Sequence, residues 1–174
     1  MEIQKTLRDG LLTVVLPAYN EQDSVPLAAD TICPLLEGEG IRHEILFVND
    51  GSRDGTWKAI QAQAARHPEV RGVCFSRNFG KEAAIFAGLA QAKGDCVVVL
   101  DCDLQHPPEK IVEMYRLWQQ GYQVVEGVKV TRGEESSLHT LAAKTFYYFI
   151  SSATKIDMSR ASDFKLLDRR AVDV

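Results

Sequence analysis

Two aspartates, Asp101 and Asp103, stand one residue apart at the end of an apolar run, inside the stretch DCDLQHPPE. Like charges held that close repel each other when ionised, and a divalent cation removes the penalty. Mg2+ or Mn2+ favours oxygen ligands and keeps room for water and substrate phosphate. Gln105 adds a neutral oxygen one alternation further on, so Asp-x-Asp-x-Gln can hold a cation from one side while a diphosphate completes the shell. The competing reading is an acidic turn capping a helix opened by Pro107 and Pro108.

Other polar sets also follow apolar runs. Asn49 and Asp50 close HEILFVND, where a carboxylate can accept from a base N–H or ribose hydroxyl, or simply serve the turn before Gly51. Arg77 and Lys81 flank NFG; cations beside the backbone N–H groups of a helix start suit phosphate, or form a solvated entrance. Lys129 and Arg132 follow YQVVEGVKV as a basic loop for a second phosphate, or as a solvated loop. His106 offers a base or a structural turn residue, while His43, His67 and His139 form no constellation. The four cysteines include no Cys-x-x-Cys pair, and read as reduced, partly buried thiols rather than a zinc or disulfide site. The aromatic run FYYF (Phe146 to Phe149) fits core packing better than lipid contact.

The elements that must position these groups alternate. Strands are predicted at Leu11–Pro17, His43–Asp50, Val70–Ser76, Asp95–Asp101 and Tyr122–Val130, with a short one around Phe164–Leu167. A first helix carries Val25, Ala28, Ala29, Ile32, Leu35 and Leu36 on one face, with Asn20 as its cap and Glu21 and Asp23 in its first turn. A second helix presents Trp57, Ile60 and Ala64, and a third spans Gly80 to Gly94 with glycine at its end. A fourth, after Pro107–Pro108, presents Ile111, Val112, Tyr115 and Trp118, and a last one Leu138, Leu141, Thr145, Phe146 and Phe149. Such alternation implies an α/β fold with a mostly parallel central sheet and helices on both faces. Ligands then bind beyond the carboxyl ends of the strands. That rule gathers Tyr19–Asn20–Glu21, Asn49–Asp50, Ser76–Arg77–Asn78 and Asp101–Cys102–Asp103 into one crevice.

At 174 residues the chain supports one sizeable core, expected over residues 11–174 after a polar, frayed lead-in at 1–10. A net charge of −4 argues against bulk nucleic-acid binding and leaves a local phosphate pocket open. No apolar stretch reaches the roughly 18 residues of a membrane span, and MEIQKTLRDG lacks a signal-peptide core, so the default location is the cytoplasm.

In this order, VVLPAYNE, FVNDGSRDGT, SRNFGKEAAIFAGLAQAKGD and VLDCDLQHPPE resemble the inverting glycosyltransferases of the GT-A fold, a Rossmann-like three-layer architecture. DLQHPPE looks like their polyprenyl-phosphate branch, the dolichol-phosphate mannosyltransferases and bactoprenol glucosyltransferases. GVKVTRGEESSLHTLAAKTFYYFIS and ASDFKLLDRRAVD are similar to the bacterial members, so the resemblance covers about residues 11 to 174. It implies transfer of a hexose from a nucleotide sugar, UDP-glucose first and GDP-mannose second, to a polyprenyl phosphate with inversion at C1. It implies a nucleotide pocket from Pro17, Tyr19, Glu21, Asp50, Arg77 and Lys81, with Gly80 in the same loop. Asp101, Asp103 and Gln105 match the metal site for Mg2+ or Mn2+, and Asp103 doubles as a catalytic residue. Asp163 in SDFKL takes the place of an active-site acid, and Lys129 and Arg132 match the acceptor-phosphate loop.

The bacterial members continue into hydrophobic anchors, whereas this sequence stops at Val174. The expectation is a truncated catalytic domain, or a shorter protein at the membrane surface. The longer form would work at the inner face of the membrane. A homo-oligomer is left open. Two alternatives stand beside this reading: a nucleotide-sugar-binding module without turnover, and a glycosyltransferase with a sugar hydroxyl acceptor. A phosphotransferase using Asp101 as nucleophile would want a small hydroxyl residue after the second aspartate, where Leu104 and Gln105 stand.

Overall fold

The computed structural model describes residues 7–127 and 164–173. Strands β1 (Leu12–Ala18), β2 (His43–Asn49), β3 (Val70–Cys74), β4 (Cys96–Val99), β5 (Val124–Glu126) and β6 (Lys165–Asp168) form one sheet in the order β3-β2-β1-β4-β6-β5. Helices α1 (Ser24–Gly38), α2 (Thr56–Arg66), α3 (Lys81–Gln91) and α4 (Glu109–Gln119) lie between strands, and α5 (Arg169–Val172) follows β6. β1 pairs in parallel with both β2 and β4, and β2 with β3. β6 runs antiparallel between β4 and β5, so the sheet is mostly parallel.

The strand period of two divides the core into two layers. Val14, Leu16, Ile45, Phe47 and Val98 face α1, α2 and α4, while Val15, Leu46, Val48, Val97 and Val99 face α3. Every residue of β4 is buried, as its unbroken apolar run requires when both faces are covered. The face of α4 matches its sequence pattern, with Ile111, Tyr115 and Trp118 buried, Met114 added, and Val112 partly buried.

Several local expectations are corrected. Asn20 does not cap α1: the helix starts at Ser24, Asn20 has φ 56°, and its side chain serves another turn. Glu21 and Asp23 therefore precede the first turn, which holds no acidic residue. α3 ends at Gln91 rather than at Gly94. A Cβ on Gly94 would stand 2.6 Å from the Thr13 nitrogen, so its glycine permits close strand approach instead of ending a helix. The lead-in is docked from Arg8 onward: Arg8 N donates to the Gln119 carbonyl, and its guanidinium pairs with Asp168 at 3.0 Å. All four cysteines are free.

Candidate functional site at the switch of strand order

The chain leaves β1 toward β2 and β3 on one side, then returns through α3 to β4 on the other. This reversal opens a crevice where the β1 and β4 carboxyl ends diverge. Its volume is about 340 Å³. Pro17, Tyr19 and Glu21 reach it from the end of β1, Asp50 from β2, Lys81 from the first turn of α3, and Asp101 and Asp103 from the end of β4.

Two turns clasp each other to build one wall. The Asn20 backbone N–H donates to Ser52 Oγ at 2.9 Å, and Asn20 Oδ1 accepts from Arg53 N at 2.9 Å. Glu21 N donates to Thr56 Oγ1 at 2.8 Å, and Gln22 Oε1 accepts from Gly55 N at 2.9 Å. Burial tends to raise the Asp54 carboxyl, but hydrogen bonds from Thr56 and Gln22 hold it below its ordinary value. GSRDGT is therefore a built partner of YNE. Asn20 is placed at the crevice by sequence, but Ser52 and Thr56 carry no local signal because their bonds cross from one strand-end turn to the next.

Asp50 is buried, and both oxygens are engaged: Oδ1 accepts from Phe79 N at 2.7 Å and Oδ2 from Gly80 N at 3.0 Å. It thereby fixes the loop that starts α3 while still lining the crevice. Gly51 lets this loop close. It has φ 62°, and a Cβ there would lie 2.2 Å from the Arg77 carbonyl carbon. Gly51→Ala is expected to cost about 1–3 kcal/mol through left-handed backbone strain alone. Urea unfolding measures it, and a loss below about 0.5 kcal/mol would contradict the assignment.

Lys81 Nζ stands 2.7 Å from Asp101 Oδ1. This ammonium is a cation resting against the carboxylate pair, and the oxygen donors there suit Mg2+ or Mn2+. Asp103 shapes its own turn: Oδ1 accepts from Gln105 N at 3.2 Å and Oδ2 from Gln105 Nε2 at 2.8 Å. Leu104 is held at φ 54° inside that turn, an uncommon conformation for a residue with a side chain. The tight turn folds the Gln105 amide back so that its nitrogen donates to Asp103. Cys102 lies buried between the aspartates in sequence. Burial raises its thiol pKa strongly, and the carboxylates of Glu21, Asp103 and Asp101 add to this, which disfavours the thiolate.

Arg77 does not line the crevice; its guanidinium lies 4.6 Å from the Phe79 ring centroid. His106 stacks on Phe164 at 4.9 Å, a packing role. Lys165 pairs with Val99, so β6 begins beside the carboxyl end of β4. Asp163, Lys129, Arg132 and the FYYF run lie outside the described residues.

The family model for glycosyl transferase family 2 matches residues 13–173. The chain belongs to glycosyl transferase family 2. Relatives of this family 2 chain include an uncharacterized glycosyltransferase, YkcC, of Bacillus subtilis, 38% identical over 162 residues. That match covers 92% of this chain and 50% of YkcC. The bactoprenol glucosyl transferase of Shigella phage SfV is 37% identical over 164 residues, covering 93% of this chain and 53% of its own. The chain therefore spans about half the length of the curated relatives it matches.

Among solved structures, the mannosyltransferase PcManGT from Pyrobaculum calidifontis, in complex with GDP-Man and Mn2+, superposes with a TM-score of 0.64 at 21% identity. It covers 94% of this chain and 46% of its own. Mannosyl-3-phosphoglycerate synthase from Rubrobacter xylanophilus gives a TM-score of 0.68 at 19% identity, covering 92% and 54%. At such identities these neighbours establish the fold, which is GT-A. Among the described residues, no helix of this family 2 chain is long and apolar enough to cross a membrane.

Proposed function

We propose that this domain transfers a hexose from a nucleotide sugar to a polyprenyl phosphate, with inversion at C1. The observation that carries the reading is the gathering of Asp101, Asp103 and Lys81 in one crevice at the switch of strand order. The likeness to a bactoprenol glucosyl transferase supports the lipid phosphate as acceptor. UDP-glucose is the first donor to try and GDP-mannose the second.

Asp101 and Asp103 would hold Mg2+ or Mn2+, with Gln105 fixing the Asp103 rotamer. Bound there, the cation supplies charge neutralisation for the departing nucleoside diphosphate. Pro17, Tyr19 and Glu21 form the floor and wall against which the nucleotide rests, and Asp50 holds the Phe79–Gly80 amides in register. Lys81 would leave Asp101 and turn to the diphosphate. The acceptor is a phosphate monoester, its second pKa about 6, so it arrives mostly ionised and needs little general-base help. Lys129 and Arg132 would hold that anionic acceptor, and Asp163 would orient it.

Thermal-shift titration with UDP and GDP, with and without Mn2+, tests this. Metal-dependent stabilisation by one of them is expected; no effect from either would overturn the reading. Lys81→Met gives a second check. Without the competing ammonium, nucleotide-free Mn2+ should bind roughly two- to five-fold more tightly, the worth of a half-exposed ion pair. Nucleoside diphosphate binding should weaken. Calorimetry reads both, and unchanged Mn2+ affinity would exclude Lys81 as a resident cation.

A further inference from the structure

At the other end of the sheet, three different metal-ligating side chains meet. Cys33 comes from α1, His67 stands at the carboxyl end of α2, and Glu69 immediately precedes β3. Cys33 Sγ, an imidazole nitrogen of His67 and a carboxylate oxygen of Glu69 all lie within 4.8 Å of one another. The crevice lies at the carboxyl ends of the strands, so the length of β3 separates the two places, about 17 Å at roughly 3.3 Å per residue.

One ligand pair, His67 with Glu69, already has the spacing of a coordination shell. His67 Nδ1 is 3.5 Å from Glu69 Oε1, and His67 Nε2 is 3.6 Å from Asp30 Oδ1. A tetrahedral zinc ion with bonds of about 2.0–2.3 Å places neighbouring ligand atoms roughly 3.3–3.6 Å apart. His67 Nε2 is buried and makes no hydrogen bond, with Asp30 just beyond bonding distance on that side. Cys33 is 1% exposed, while His67 and Glu69 keep an edge open to solvent, which gives an ion a way in. Arg66 stands 3.5 Å from Asp30 on the outer side of this group.

We propose that Cys33, His67 and Glu69 form a zinc site, with His67 binding through Nδ1 and oriented by Asp30 at Nε2. A metal-ligating histidine commonly donates its other ring N–H to a carboxylate, the place Asp30 occupies. Thiolate with imidazole selects Zn2+ over Mg2+ or Mn2+, the reverse of the oxygen-only crevice. Three protein ligands leave the fourth position to water. Binding releases the thiol proton and ties α1 to the connection between α2 and β3. The ion is a structural clip and takes no part in sugar transfer.

The test uses the 174-residue chain carrying Asp101→Asn and Asp103→Asn, which removes the crevice as a competing site. Zn2+ is titrated against a chromophoric chelator, and Co2+ is followed by absorption. One equivalent of Zn2+ should bind and raise Tm, Co2+ should show a thiolate-to-metal charge-transfer band, and Mn2+ should not compete. Cys33→Ser and His67→Gln should each weaken Zn2+ binding at least about 100-fold, beyond the loss of a supporting partner. The near-isosteric Cys33→Ser and the solvent-edge His67→Gln, checked by circular dichroism, separate lost binding from lost folding. Absence of Zn2+ binding, a Co2+ spectrum without the charge-transfer band, or equal affinity in both variants would overturn the site.

Discussion

Replacing Asp103 with asparagine will lower hexose transfer by at least about 10³-fold, the scale of losing several kcal/mol of charge stabilisation at the leaving group. Asparagine keeps the size of the side chain, and its oxygen can still accept from Gln105 N, as Asp103 Oδ1 does at 3.2 Å. The turn through Leu104 should therefore persist, and stability should change little. What disappears is one charge of the Asp101–Asp103 pair proposed to hold the cation, while Lys81 keeps its contact with Asp101. Initial rates at saturating donor and metal check the loss. The Mn2+-dependent part of the nucleotide thermal stabilisation should also be lost. A loss below tenfold would mean that Asp103 is a turn residue, and the acidic-turn reading of DCDLQHPPE would return.

The second large effect concerns stability. Glu44 is buried beside the amino end of β1, and its carboxylate accepts from Thr13 Oγ1 at 2.6 Å, Lys93 N at 2.7 Å and Arg71 Nε at 2.8 Å. Glu44→Ala should cost about 3 kcal/mol, the low end for breaking a buried ion pair, because Arg71 keeps 29% of its side chain exposed and can rehydrate. Burial alone would raise the Glu44 pKa, but the bonds from Arg71, Thr13 and Lys93 outweigh it and hold the carboxyl below its ordinary value. The sign follows. Its folded pKa is depressed, so its contribution is fully present above the unfolded value and is lost as pH falls through the folded value. Denaturant unfolding from pH 7 downward should show the native protein losing stability below about pH 4.5 more steeply than Glu44→Ala. Parallel acid limbs would contradict the assignment.

Much of this architecture is legible in local pattern. The alternation of β-branched runs with helical faces locates the strands and predicts which ends converge, and β4 reads as doubly covered from Cys96 to Val99 alone. Asp101 and Asp103 are visible for the same reason, since they follow that run directly. What pattern does not carry is partnership across the sheet. Asn20 has the composition of a helix cap, yet its oxygen goes to Arg53, a partner supplied by the neighbouring strand end. Asp50 reads as a crevice carboxylate, and the two amides that the loop after β3 also brings to it leave no local signal. Glu44 and Arg71 lie in separate predicted strands, and only the pairing of β2 with β3 brings them together. The antiparallel insertion of β6 between β4 and β5 also escapes a reading in chain order, because the strand comes from far along the sequence. His67 joins no constellation by spacing; α1 packing beside the α2–β3 connection brings Cys33 and Glu69 to it.

These cases share one physical cause. Hydrophobic period is a property of a segment, whereas a hydrogen bond or ligand set belongs to two or three segments at once. The functional crevice sits between these extremes: its carboxylates come from one segment and its cation from another, so half of it could be read directly and half had to be assembled.

The most direct measurement of the central claim is transfer itself. The chain is incubated with Mn2+, undecaprenyl phosphate in detergent micelles and labelled UDP-glucose, then labelled GDP-mannose, and the label is followed into the lipid phase while NMR reads the C1 configuration. The account predicts a metal-dependent hexosyl phospholipid whose anomeric configuration is opposite to that of the donor, and its absence in Asp103→Asn. Retention of configuration, or equal transfer to a plain sugar hydroxyl without the lipid phosphate, would contradict it.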